Sequence, residues 1–160
     1  DELPPIRLYA FQAYALLANK GEMAALKPIF EKDELFKQQL SDHASLFAAA
    51  TECDQNVECW TGKLTSTDKI VQRKASSMLG RYGRGNDKAI AGLIPLLGDR
   101  DLEVRNEALL ALDAIAVKGS KAAIDKIDEL ETMEAGRSIW NNFKREALPT
   151  RSRLAMRSGS

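Results

Sequence analysis

"GDRDLEVRNEALLALDAIA", residues 98–116, places Asp99, Asp101 and the pair Val104-Arg105 around a turn and then opens an apolar stripe. Val104, Ala108, Ala111, Leu112 and Ile115 recur at three- and four-residue steps, the period of one face of an α-helix. The stripe is too wide to leave in water and too small to fold alone, so the helix needs neighbours. Alanines at 108 and 111, and the small pair Ala75-Ser76 upstream, let such neighbours approach closely.

Outward from this stretch the pattern repeats. Sliding the chain by 33 residues puts Ala75 on Ala108, Val71 on Val104, Leu64 on Leu97, Asp68 on Asp101 and Leu79 on Leu112. A second alignment sets Asp1, Ile6, Arg7 and Ala10 on Asp99, Val104, Arg105 and Ala108. A fixed period of this size marks stacked helical hairpins.

The rest of the chain reads as helix with no sustained alternation, so no strand is expected. The periodicity predicts helices over about 4–18, 22–31, 33–51, 55–64, 68–82, 87–97, 102–117 and 120–134. A last helix follows Gly136, and Pro149 is expected to kink or end it. The prediction for 33–51 is one continuous helix, and Asp87 is expected to cap the helix that follows "RYGRG".

The chain has 160 residues, with 23 bases and 23 acids, so no global charge points to a polyanionic partner. The distribution is uneven: residues 1–60 carry ten acids and five bases, while residues 137–160 carry six bases against Glu146. No run of about 18 apolar residues is present, and no charged-then-apolar leader opens the chain. A domain over 1–157 with a flexible, frayed basic end and a tail at 158–160 is expected.

The stretch "LIPLLGDRDLEVRNEALLAL" resembles a unit of the HEAT-repeat family. The resemblance is close over 87–117, fair over 55–82 and 1–18, and poor over 22–51 and 120–157. It implies an all-α, right-handed α-solenoid of about four stacked hairpins, an armadillo-type superhelix whose second helices line the concave face. It also implies an inter-repeat ladder, which here falls on Asp1 and Arg7 and on Asp99 and Arg105. Ser66 and Gln72 stand where the intermediate unit would carry its charged pair.

Cys53 and Cys59 match neither a CxxC motif nor zinc-ligand spacing, and with His43 as the single histidine no metal site or other cofactor is expected. In one uninterrupted helix six residues turn through roughly 600°, which points the two sulfurs apart. "CDQN" reads instead as a break with a new cap at Asp54 or Asn56, which allows a disulfide and implies an oxidising, extracytoplasmic compartment. Two ordinary buried cysteines in a cytoplasmic protein are the alternative. His43 is read as a surface residue, Trp60 as core, and Trp140 with Phe143 as the seal of the last helix. Tyr14 aligns with core Leu112, whereas Tyr9 and Phe11 are candidates for exposure at an uncovered end.

No catalytic residues are assigned. Nucleophilic triads would all have to use His43, and the His-Glu pairs of HEAT-like di-iron enzymes are missing from the sequence. The expected function is a non-enzymatic scaffold that binds a peptide or protein on the concave face through Arg73, Asn106, Leu110 and Asp113. The alternative is binding of nucleic-acid phosphates by the basic C-terminal segment, where Arg145, Arg151, Arg153 and Arg157 cluster. Helix one reads as the second helix of a unit without its first, so its apolar flank is expected to meet a longer array or a second copy of the chain.

Overall fold

A computed structural model describes residues 4–159 and is built from helices, with no strand among the described residues. The helices are α1 (Pro4–Leu17), α2 (Lys20–Phe30), α3 (Glu34–Asp42), α4 (Ala44–Cys53), α5 (Val57–Lys63), α6 (Lys69–Tyr82), α7 (Asp87–Leu93), α8 (Leu102–Ile115), α9 (Lys121–Met133) and α10 (Ser138–Ser158). A 3₁₀ turn, Ile94–Gly98, extends α7 where Pro95 withholds its N–H.

Three antiparallel hairpins, α5/α6, α7/α8 and α9/α10, form a stack. Second helices pack on second helices, α6 on α8 and α8 on α10, while α5, α7 and α9 line the other side. The seam is the stripe read from the sequence: Ala75, Leu79, Val104, Ala108, Leu112 and Ile115 are all buried. A Cβ added at Gly80 would sit 3.3 Å from the Ala111 Cα, so the α6–α8 approach depends on small residues at both positions. Four starts in the stack are capped as the sequence allows: Asn56, Asp68, Asp101 and Ser120 all accept a backbone N–H of the first turn. The cap of α7 is Asn86 rather than the expected Asp87, because the Asn86 Oδ1 reaches the Ala89 N–H at 2.9 Å.

Where a fourth hairpin would stand, the chain makes a block of four helices, α1 to α4, whose centre is aromatic. Phe11 is 1 % exposed and is ringed by Phe30, Phe36, Phe47 and His43, with centroids 4.8 to 6.2 Å from its own. Phe11 therefore lies in the core rather than at an open end, while Tyr9 is exposed. The expected single helix over 33–51 is two helices broken at His43. In a straight helix Phe36 and Phe47, eleven residues apart, would lie ~16 Å from one another. Their centroids are 5.5 and 6.2 Å from that of Phe11, and the break at His43 helps both rings reach it. His43 takes the corner with its Nδ1 2.9 Å from the Gln39 carbonyl, half-buried and not on an open surface.

The disulfide joins this block to the stack. Cys53 ends α4, Cys59 lies in α5, and the two Cα atoms are 5.3 Å apart across the bonded pair. Asp54, with φ of 47°, reverses the chain, and its carbonyl accepts the Trp60 Nε1–H at 2.7 Å. Trp60 is fully buried.

The basic end is ordered helix, contrary to the frayed segment expected. α10 runs through Pro149, which lies on its exposed side, where water can satisfy the orphaned Arg145 carbonyl, and it continues to Ser158. Ser158, expected in a tail, packs beside Gly119, whose φ of 73° and lack of a Cβ let the α8–α9 turn touch the Leu154 carbonyl and the Ser158 N–H.

Candidate functional site

The second-helix side carries a groove of about 670 Å³. Tyr9, Gln12, Ala13, Leu16 and Leu17 of α1 form one wall; His43, Leu46 and Ile70 form the floor; Arg73 of α6 and Glu103 and Glu107 of α8 close the far side. The helical period explains why these residues share it. Ile70 and Arg73 are one turn apart on α6, as Glu103 and Glu107 are on α8, and α6 and α8 lie side by side. Glu103 pairs with Arg73 across the seam. Glu107 is half-buried and makes no hydrogen bond or ion pair with the described residues. Burial pushes its carboxyl pKa up, Arg73 pulls it down and Glu103 adds to the rise.

Of the residues expected on this face, Leu110 is exposed, and Arg73 is half-buried in the groove. Asn106 is also half-buried, its Oδ1 enclosed without a hydrogen-bond partner. Asp113, expected to be exposed, is instead half-buried by α10. It accepts from Arg153 Nε at 2.9 Å and pairs with Arg157 at 3.0 Å. Arg151 likewise binds Asp128 of α9. Three bases proposed for phosphate contact thus pin α10 to α8 and α9.

Asp99 and Arg105 each reach an adjacent unit, though not one another's carboxylate and guanidinium. The Asp99 carboxylate accepts from Lys69, 2.6 Å away on α6. Burial raises the Asp99 pKa, but Lys69 and the Asp101 N–H bring it below the usual aspartate value. Arg105, buried, donates to its own turn at the Asp99 carbonyl and, in a bidentate pair at 2.6 and 2.9 Å, to Glu134 beyond α9. Asp1, and the side chain of Arg7, lie outside the described residues.

Sequence reading missed the clamp on α1. Lys74 is fully buried and donates to the carbonyls of Ala15 and Ala18, the former at 2.7 Å, so an ammonium occupies the negative end of the α1 helix. Burial drives its pKa down to about 7, with Glu22 opposing and Arg81 assisting the fall. One helical turn pair further, Arg81 donates to the Leu17 carbonyl at 3.1 Å and clasps Glu22 with two bonds of 2.9 Å. Those bonds, with the Asn19 N–H, hold the Glu22 pKa down at about 2. The signal was present: Lys74 stands three residues after Val71 and four before Met78, in the middle of a buried stripe.

Among the described residues, one group brings metal-ligating atoms together: Glu52, Cys53 and Cys59. Its sulfurs are bonded to each other and Glu52 pairs with Lys63 at 2.6 Å, so it presents no open ligand set. No described helix is long and apolar enough to cross a membrane.

Hairpins stacked in register, second helix on second helix, define an all-α solenoid of the helical-repeat class. The family model for HEAT repeats matches residues 60–136, and that segment belongs to the HEAT-repeat family. HEAT repeats generally mediate protein–protein interaction and are typically non-enzymatic scaffolds. No curated protein and no solved structure matches the chain significantly.

Proposed function

We propose that the protein is a non-enzymatic interaction scaffold that binds a peptide or protein on the face formed by its second helices. The observation that carries this reading is the groove between α1, α6 and α8: apolar walls, a few convergent charges, and a size within the range of about 300–1,000 Å³ usual for binding sites. Exposed Leu110, beside it on α8, extends the same surface. Phosphate binding through the C-terminal segment has less support, since Arg151, Arg153 and Arg157 are engaged within the fold.

Retention of partners from an extract of the cells that make the protein tests the reading. Immobilised wild type is compared with an Arg73→Glu/Leu110→Asp variant and with Lys88→Glu, which alters an exposed side chain on α7. At least one protein should be held by wild type and Lys88→Glu and lost from the double variant. Identical retention by all three would overturn the assignment to this face.

A further inference from the structure

The groove contains more acid than its own bases can match. Arg73 pairs with Glu103 through one terminal nitrogen, and among the described residues no cation is bonded to the half-buried Glu107 carboxylate. Beside His43, the described lining of the groove carries two acids, Glu103 and Glu107, and one arginine. An unpaired, partly desolvated carboxylate is costly until a cation arrives, and a cation bound there is less screened than on an open surface. Across the groove Tyr9 is 71 % exposed. An open tyrosine ring offers its electron-rich face to ammonium or guanidinium groups. Leu17, 58 % exposed, and Ile70 add aliphatic surface to the same lining.

We propose that this groove takes a peptide segment carrying a lysine or arginine beside aliphatic residues, the cation lodging between Glu107 and the Tyr9 ring and the aliphatic side chains lying on Leu17 and Ile70. This deepens, and rests on, the reading of the second-helix face as a binding surface. The selection is electrostatic as well as apolar: an acidic segment would set like charge against Glu103 and Glu107, and an uncharged one would bury Glu107 without a partner.

The probe is a random 12-residue peptide library displayed on phage and selected on the immobilised, oxidised protein, followed by fluorescence anisotropy of the recovered peptides. The expected result is enrichment of Lys or Arg within four positions of Leu, Ile or Val. Affinity should fall at least tenfold for Glu107→Gln, for Tyr9→Ala and for a peptide whose cation is replaced by Glu, and stay unchanged for Lys88→Glu, on the exposed side of α7. Glu107→Gln keeps the side-chain shape, and Tyr9→Ala alters an exposed residue, so either can serve if the other misfolds. Enrichment of acidic or uncharged sequences would overturn the proposal. So would peptides that lose affinity with Leu110→Asp and not with the groove variants, although these would leave the binding face itself standing. Recovery of no peptide above background would overturn both.

Discussion

The block α1–α4 and the stack α5–α10 solve the same problem with different materials. In the stack, small and aliphatic side chains repeat at a fixed offset, Ala75 with Ala108 and Leu79 with Leu112, so each helix meets a neighbour of the same shape. In the block, Phe11 gathers rings from α2, α3 and α4. Repetition gives a surface that can be extended by copying. A ring cluster is specific to its own four helices and offers no such repeat.

The sharpest way to break this contrast is at the seam. Ala108→Glu would bury a carboxylate between α6 and α8, at a cost of more than about 4 kcal/mol. Circular dichroism should show the cooperative transition lost or moved far down in temperature, because both adjacent units lose their contact. An unchanged melt would mean that the stripe is not core. Next in size, Phe11→Ala should destabilise by about 3–5 kcal/mol. Hydrogen exchange should rise in α1–α4 first, leaving α6 and α8 protected; equal loss everywhere would show one cooperative unit without an internal boundary.

The joint between the regions comes third. Replacing Cys53 and Cys59 together by serine reopens a short loop, for which chain entropy gives about 2–3 kcal/mol. The denaturation midpoint should fall and the two regions should separate in exchange behaviour; a midpoint equal to that of the oxidised protein would count against a stapling role. The smallest effect concerns Lys74. Folded, it loses its proton above a pH of about 7, whereas the unfolded chain holds it until near 10.5, so between these values the unfolded state binds more protons and stability rises with pH. From pH 7 to 9 the gain should be at most about 1.4 kcal/mol per pH unit, read by urea unfolding, and it should vanish in Lys74→Met. The window must stop there, because burial and the Glu22 charge raise the Tyr14 pKa above 10.0, and loss of that proton would act in the opposite direction.

The same contrast explains what the sequence made legible. Stripe, caps and period are local properties, and over 57–133 they placed every helix within a few residues, because each unit restates the last. The break at His43 was invisible: Leu35, Phe36, Leu40, Ala44 and Phe47 keep helical spacing straight through it, and Phe11, the ring that both Phe36 and Phe47 reach, is distant in the chain. The candidate site followed the same division. Arg73 and Leu110 could be assigned to the outer face of their helices from spacing alone. The groove could not, since its opposite wall is α1, more than fifty residues away in the chain and brought there by Lys74 and Arg81. Asp113 was misjudged as open because α10 was read as loose, and the arginines that hold it are the residues that made the end look like a tail.

Both indoles belong to the stack, one in its first hairpin and one in the hairpin of α9 and α10. Trp60, at the joint, lies beside Cys59 with its N–H bound to Asp54 inside the bridged loop, and Trp140 sits 3 % exposed in the last hairpin against Phe143. Fluorescence from the native chain therefore offers two built-in gauges, one that senses the hinge and one that senses the far end, and removing either indole leaves the other to report alone.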